Sequence, residues 1–256
     1  MKINSHPLLR RAWLAALLAG SSLPLAAATL SGDGITEPIL DATLSSPVAG
    51  IVASHHFKEG DFVKLGQAIV ELDKRQEELE AKRRSIVLAP MKADWEGARF
   101  LFQQPKSSIS KEALDKKQSD YDVAVVEHEL AEDAVRKRSI TAPFDGSIVE
   151  IFLKPGEACQ IQQPVVRIVD TRRCYFVANL EAKIAAALRA GQKVDLELSA
   201  ATAPMHFPAT ISFISPVVDP ASGLLKIKAV FENPDGKIRP GIAGRMIFED
   251  TKNAGQ

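Results

Sequence analysis

The sequence predicts a multidomain, mainly β fold of the mixed α/β class. A small β domain is split by an antiparallel α-helical hairpin and followed by a small antiparallel β-barrel. Three observations carry this prediction. A turn-rich segment recurs 96 positions further along the chain, and the residues between its two copies are charged, with apolar side chains seven apart, as in paired helices. Short runs of alternating apolar and polar residues follow the second copy and indicate strands.

The repeat covers residues 44–70 and 140–166 without a gap. LSSPVAGIV returns as ITAPFDGSI, FKEGD as LKPGE, and LGQAIV as IQQPVV. Each copy has only about 30 residues, which is too few to bury a core alone. The two copies must therefore pair with each other, and this pairing brings Asp73 close to Ser139.

Five glycines are predicted to lie at structural turns: Gly50, Gly60, Gly146, Gly156 and Gly241. At Gly50 and Gly146, which follow the same loop in the two copies, we expect a tight turn with a positive φ. Pro155 and Gly156 have the residue types of the two central positions of a type II turn.

The segment between the copies predicts two helices. The first, over residues 74–104, has Asp73 as its expected N-cap with Gln76 as capping-box partner. The second begins after Ser110, a suitable N-cap, with Glu112 in its first turn. The expected contact lines are Leu79, Ile86, Ala93 and Phe100 on the first helix, and Leu114, Tyr121, His128 and Val135 with Gln118, Val125 and Glu132 on the second. Because the two ends of the insert must meet, the helices form an antiparallel hairpin roughly 45 Å long.

The C-terminal part predicts a barrel. Alternation over residues 194–198 and 225–231 indicates half-buried strands. An alanine-rich helix over 182–190, ending at Gly191, separates the first strand from the others. The turn segments are DPASG at 219–223 and NPDG at 233–236.

The first 28 residues have the features of a secretory signal peptide. Positive charges precede a short apolar run, and an A-x-A sequence ends it. No cysteine lies at the expected cleavage site, so we predict an exported protein that is not a lipoprotein. The predicted organisation is signal peptide 1–28, split β domain 36–73 plus 140–170, hairpin 74–139, barrel 171–250 and tail 251–256.

Other functional classes find little support. The 32 basic and 32 acidic residues balance, which gives no electrostatic footprint for nucleic acid. No catalytic motif or cofactor fingerprint is present, so we expect a protein that is not an enzyme and has no cofactor. Neighbouring residues such as His55 and His56 point to opposite faces of a strand, so no metal site is expected. Whether Cys159 and Cys174 form a disulfide stays open.

Several motifs together carry a family resemblance. They are KEGDFVKLGQ at 58–67 with ELD at 71–73, TAPFDG at 141–146, and the series DP at 219–220, FENPDG at 231–236 and RPG at 239–241. In this order they resemble the membrane fusion proteins, which are periplasmic adaptors with a biotinyl/lipoyl-like domain split by a hairpin. The resemblance implies an inner-membrane transporter, with the resistance-nodulation-division type favoured, and an outer-membrane channel as partners. It also implies a ring-forming homo-oligomer, expected to be a hexamer, which is held at the inner membrane through its pump.

The same resemblance implies a channel contact at the hairpin tip. The family's tip signature is an Arg, a Leu four residues later and a Ser eleven residues after the Arg. Arg99 and Ser110 match it, whereas Gln103 stands at the Leu position and Leu101 lies nearby. The alternatives are an adaptor of an ATP-driven exporter or type I secretion system, a periplasmic metal- or ligand-binding module, and a lipoyl or biotinyl carrier.

Overall fold

The computed structural model describes residues 29–105, 108–199 and 204–249. The predicted signal peptide (1–28) and tail (251–256) lie outside these residues. Strands dominate the described chain, with one long pair of helices between the fourth and fifth strands and one short helix after the eighth. The mainly β fold class predicted from the sequence is confirmed.

A closed six-stranded antiparallel barrel forms one end of the molecule. Its strands follow the order β1, β12, β9, β10, β11 and β8, and β8 pairs back onto β1. Their bounds are β1 Thr29–Ser45, β8 Pro164–Glu181, β9 Lys193–Ser199, β10 Pro204–Ile214, β11 Leu224–Glu232 and β12 Ala243–Glu249. The predicted alanine-rich helix is shorter than expected, since α3 covers only Ala182–Ala185.

The split β domain is a sandwich with its own apolar core. The far ends of β1 and β8 extend into it and join β6 and β3, and a second sheet has the order β5, β4, β2, β7. The short strands are β2 Gly50–His55, β3 Phe62–Val63, β4 Ala68–Leu72, β5 Ser139–Thr141, β6 Gly146–Ile151 and β7 Ala158–Cys159. Because β1 and β8 are 17 and 18 residues long, they run through both the sandwich and the barrel.

The two copies of the repeat pair as the sequence predicts, and they do so reciprocally. The Gly60 N–H donates to the carbonyl of Ile148 and the Gly156 N–H donates to that of Val52, both at 2.8 Å. Each donor and each acceptor is related to its counterpart by the same 96-residue shift. The sandwich therefore has an internal pseudo-twofold relation, which explains why neither half is complete without the other.

The turn glycines divide into two groups. Gly60, Gly156 and Gly241 have φ values of 90°, 90° and 101°, as a turn glycine requires. Gly50 and Gly146 do not, so the positive φ expected there is wrong; each instead begins a strand at a crowded place. A Cβ on Gly146 would lie 2.5 Å from the carbonyl oxygen of Val169, and one on Gly50 would lie 2.6 Å from Nη1 of Arg138.

The insert forms the predicted antiparallel hairpin. Helix α1 runs over Arg75–Phe102 and α2 over Lys111–Arg136. Ser110 caps α2 as predicted, because its hydroxyl accepts the N–H of Ala113 at 3.2 Å. The α1 cap differs, since the N-cap position is Lys74 and not Asp73. The Asp73 carboxylate still accepts the Arg75 N–H at 3.1 Å, so it satisfies one free donor of the first turn from one residue further out.

Candidate functional site

The seam between α1 and α2 combines alanines with partly exposed larger side chains and polar contacts. Its only buried apolar residues among those described are Ala98, Ala124 and Ala131, which are 5–8% exposed. On α2 these alanines lie three residues after Tyr121 and His128 rather than four. The predicted partners Gln118 and Glu132 are exposed instead.

The contact line predicted on α1 is wrong. Leu79, Ile86 and Phe100 are 60%, 64% and 63% exposed, and Ala93 is exposed as well. The less exposed positions run as Glu77, Ala81, Arg84, Leu88, Met91, Trp95 and Ala98. Both lines follow helical spacing and both carry apolar residues, so the spacing alone does not show which line faces α2.

Polar contacts join the helices along the seam. Arg84 of α1 bonds Glu127 of α2, and Lys117 of α2 donates to Asp94 of α1 at 2.6 Å. The carboxylate of Asp94 raises the pKa of the Lys117 ammonium. Hydrogen bonds from Arg83 and Arg84 lower the pKa of the Glu80 carboxyl to about 2.

An aromatic pair closes the seam toward the tip. The rings of Trp95 and Tyr121 stack with 5.1 Å between centroids and 7° between planes. The Arg99 guanidinium lies over the Trp95 ring, 5.4 Å from its centroid. Arg99 therefore has a defined orientation. The tip signature by which Arg99 was selected from the sequence does not indicate this contact with Trp95.

The predicted tip residues lie together where α1 ends and α2 begins. Arg99, Leu101, Gln103 and Ser110 are all exposed. Gln103 is the C-cap residue, and its N–H donates to the Arg99 carbonyl at 3.2 Å. Ser110 has a structural role as the α2 N-cap, and its hydroxyl also lowers the pKa of the Glu112 carboxyl, after the larger effect of that residue's own N–H.

The tip is more apolar than the sequence pattern suggested. Phe100, Leu101 and Phe102 are 63%, 46% and 39% exposed, so three consecutive large side chains reach solvent. Phe100 was assigned to the seam by its seven-residue spacing. The run of three apolar residues just before a helix end is the signal that could have placed it at the tip.

The outward sides of the two helices both expose large apolar side chains. On α1 the exposed side chains include Leu79, Lys82 and Ile86. On α2 they form a stripe that includes Asp115, Ser119, Asp122, Val123, Val126 and Leu130. A shallow groove of about 610 Å³ follows this acidic and apolar stripe. Isolated exposed apolar residues are ordinary, but a continuous row of them marks a contact surface.

Little in the described part of the chain could bind a cofactor or a metal ion. No three side chains of the ligand types converge there on a point that could hold a metal ion. Cys159 and Cys174 are both free and buried, and burial raises the pKa of the Cys174 thiol to about 11. Among the described helices, none is long and apolar enough to cross a bilayer.

Comparisons with known proteins agree with this architecture. A family model described as "RND MFP, barrel-sandwich hybrid domain" matches residues 41–171, and a "CusB-like, beta-barrel domain" matches 176–252. The solvent efflux pump periplasmic linker SrpA of Pseudomonas putida is 24% identical over 258 aligned residues, which cover 89% of this chain and 64% of that protein. An uncharacterized protein of Haemophilus influenzae is 27% identical over 83% of this chain and 55% of its own length. The chain thus spans less than two thirds of these relatives.

Solved structures share the fold. A MacA–MexA chimera that contains the Pseudomonas aeruginosa MexA α-hairpin superposes with a TM-score of 0.74 at 19% identity, covering 88% of this chain and 80% of the chimera. A putative efflux transporter from Bacteroides eggerthii gives 0.70 at 19% identity, over 90% and 71%. Since the barrel-sandwich model alone spans more than half of the sequence, this chain belongs to the membrane fusion proteins, the periplasmic adaptor family of efflux systems.

Proposed function

We propose that this protein is the adaptor of a tripartite efflux system. It would couple an inner-membrane pump of the resistance-nodulation-division type to an outer-membrane channel. The observation that carries the proposal is the hairpin, on which large apolar side chains such as Leu79, Ile86 and Leu130 are exposed. A helix pair built in this way is suited to binding other proteins and has no need of a catalytic group or a cofactor.

The periplasm is the compartment in which such coupling takes place. We propose that residues 1–28 direct export and are cleaved, and that the mature protein stays at the inner membrane through its pump. No step of the coupling needs energy from the adaptor, since the pump supplies it. The relatives named as efflux pump periplasmic linkers support this placement.

The tip contact is tested by cross-linking in intact cell envelopes. A photoreactive residue at Gln103 should capture an outer-membrane channel, because this side chain is exposed at the end of α1. A photoreactive residue at Arg136, exposed at the opposite end of the hairpin, is the control and should not capture it. Recovery of the channel from neither position contradicts the tip assignment, and the pump recovered with the complex identifies its class.

Charge changes separate a tip function from a folding effect. Arg99→Asp and Ser110→Arg should abolish export while the circular dichroism spectrum is kept. Arg136→Asp makes the same charge reversal at the other end of the hairpin and should leave export intact. Ser110→Asn keeps a side chain that caps helices well, so it isolates the partner contact from the cap. Normal export by both tip variants contradicts the proposed channel contact.

We propose that the hairpins also bind one another side by side in a ring. The outward sides of both helices expose apolar residues, with Lys82 beside them on α1 and Asp122 beside them on α2, so the two sides can pack together. A contact between two different faces of identical chains produces a ring when the rotation closes. A hexameric ring would add many weak contacts into one stable assembly.

A cysteine pair tests this packing. The Arg84–Glu127 bond sets the two helices level with each other, so Ile86 and Val126 lie at the same height on opposite sides of the hairpin. The double variant Ile86→Cys/Val126→Cys should give a ladder of disulfide-linked oligomers under mild oxidation. Ile86→Cys/Lys116→Cys, displaced by about ten residues or 15 Å along α2, is the matched control and should give no ladder. Equal yields from both pairs would contradict the registered packing.

A further inference from the structure

The loop that the repeat places twice in the sandwich is contacted by an arginine each time. In the first copy the loop ends at Ala49, and in the second copy the equivalent residue is Asp145. The Ala49 carbonyl accepts a hydrogen bond from Nη1 of Arg138 at 3.0 Å. The Asp145 carbonyl accepts one from Nη2 of Arg172 at 3.3 Å. These two arginines are not themselves related by the repeat, so two unrelated side chains reach the same backbone atom of equivalent loops.

The first arginine joins the sandwich to the hairpin. Arg138 follows α2 directly, and its guanidinium also bonds the carboxylate of Glu77 in the first turn of α1. Both side chains are well shielded, at 20% and 18% exposed. One side chain just after the end of α2 thus contacts both the start of α1 and the Ala49 loop. Gly50 leaves the space for it, since a Cβ there would lie 2.6 Å from Nη1 of Arg138.

The second arginine lies at the junction between the sandwich and the barrel, with its guanidinium on the sandwich side. Arg172 lies on β8 where this strand passes from one domain to the other, and it makes a two-point contact with Asp170 at 2.7 and 2.9 Å. Its guanidinium is also 3.6 Å from the Asp145 carboxylate and 5.7 Å from the ring centroid of Phe62. On the barrel side, the Arg172 carbonyl accepts the N–H of the buried Asn233 at 2.7 Å.

We propose that Arg138 and Arg172 are positioning residues that fix the hairpin and the barrel, respectively, to the two ends of the split β domain. A guanidinium has several donors in one rigid plane, so it can bond a carboxylate and a carbonyl together and limit rotation between the parts that carry them. The pseudo-twofold relation of the sandwich supplies an equivalent acceptor at each end. This arrangement would transmit a movement of the barrel through the sandwich to the hairpin tip.

The test measures distances between domains in the full chain. Nitroxide labels are attached at Lys116→Cys on the hairpin, Ala53→Cys on the sandwich and Lys226→Cys on the barrel, all three exposed positions. Pulsed electron paramagnetic resonance then gives the distance distribution for each pair. The native cysteines are buried, and a chain without introduced cysteines shows how much label they take up.

The expected result is selective. Arg138→Gln should broaden the hairpin–sandwich distribution and leave the sandwich–barrel distribution unchanged, and Arg172→Gln should do the reverse. The matched controls are Arg136→Gln, whose guanidinium bonds only Asp133 within its own helix, and Arg167→Gln, whose two-point contact with Asp41 lies between adjacent strands of the sandwich. Neither control should broaden either distribution.

Two further variants keep the test decisive if an arginine variant does not fold. Gly50→Ala displaces Arg138 with a single methyl group. Asp145→Asn removes the charge facing Arg172 while its amide oxygen can still accept the Leu65 N–H that Asp145 now binds at 2.8 Å. The proposal is overturned if the distributions stay narrow in all four variants, or if every variant broadens both distributions alike, which is the mark of general loosening.

Discussion

The split β domain and the hairpin inserted into it bury opposite kinds of side chain. In the β domain Val63, Ile69 and Leu72 are 0% exposed. In the described part of the hairpin the buried apolar residues are alanines, while Ile86 and Leu130 are 64% and 66% exposed. The β domain buries its large apolar side chains in its own core, whereas the hairpin leaves several of them available to a partner.

This difference shows which region the fold depends on. The hairpin is anchored at its base, because the strands before α1 and after α2, β4 and β5, pair with each other in the sandwich. The sandwich therefore supplies the closure that a weak helical seam cannot. Helices in water gain most of their stability from packing an apolar face, and here large apolar side chains such as Ile86 and Leu130 remain exposed in the single chain. We infer that the hairpin is at its most stable inside an assembly.

The largest expected effect comes from replacing one leucine by alanine in each region. Leu72→Ala should lower the free energy of unfolding by roughly 2–5 kcal/mol, because it leaves a cavity in a closed core. Leu130→Ala should change it by less than about 0.5 kcal/mol, since most of that side chain is already in water. Urea unfolding of the isolated chain measures both.

The same pair of variants can break the comparison. An equal loss of stability in Leu130→Ala and Leu72→Ala would mean that the outward side of α2 is covered within a single chain. In a cross-linked oligomer Leu130→Ala should also lower the free energy of unfolding, while Leu72→Ala keeps its effect.

A smaller effect is expected at the junction of α1 and α2. Ser110→Ala removes the acceptor for the Ala113 N–H and should cost about 1 kcal/mol of local helix stability. Hydrogen exchange at Ala113 should speed up while amides of the sandwich keep their protection, because the hairpin opens separately from its anchor. Ser110→Asn is the control that restores the acceptor. Faster exchange in both regions would show that the hairpin and sandwich unfold as one unit.

The sequence predicted the architecture better than the contact surfaces, and the reason is physical. A repeat that cannot fold alone has to pair with its copy, so the position and direction of the hairpin followed from Asp73 and Ser139 meeting. A seven-residue spacing shows that a helix has a contact face but does not show which of its faces meets the nearest helix. Leu79 and Ile86 were therefore assigned inward, although Ala81 and Leu88 occupy that side.

The turns show a similar limit. Gly60 and Gly156 were expected at turns, and each has a φ of 90°, which is a local requirement of the turn. Gly50 and Gly146 have that residue type for a different reason, the close approach of Arg138 and of the Val169 carbonyl. Crowding between distant segments leaves no local signal, so it appears only in the structure. The tip residues Arg99, Leu101, Gln103 and Ser110 came from resemblance, and their channel contact remains a prediction.

The two copies of the repeat differ at one informative turn. Gly66 has a φ of 81°, and Gln162, its equivalent in the second copy, has a φ of 62° although it carries a Cβ. A left-handed conformation costs a residue with a side chain roughly 1–2 kcal/mol, of which glycine's greater freedom in the unfolded chain offsets part. Gln162→Gly should thus stabilise the protein by about 0.5 kcal/mol, and Gly66→Gln should destabilise it by a similar amount. Thermal unfolding measures both, and a loss of stability in Gln162→Gly would show that its side chain makes a contact worth more than the strain.

The smallest effect concerns charge, on which the hairpin relies where the β domain relies on apolar burial. The pKa of the Glu80 carboxyl is held at about 2 by Arg83 and Arg84, and Arg84 extends the contact to Glu127 of the other helix. Because the folded pKa is below its usual value of 4.5, this group stabilises the hairpin above about pH 4.5, and the stabilisation is lost as the pH falls toward 2.

Acid also weakens the Asp41–Arg167 pair of the β domain, whose Asp41 pKa is lowered by hydrogen bonds from Arg167, but the apolar core beneath that pair does not titrate. Carboxyl carbon resonances followed from pH 6 to below pH 2 should give a Glu80 midpoint of about 2, and Arg83→Gln/Arg84→Gln should raise that midpoint toward its usual value. A midpoint that stays near 2 in the double variant would mean that the two arginines do not set it, and the contrast between a charged seam and an apolar core would lose its clearest support.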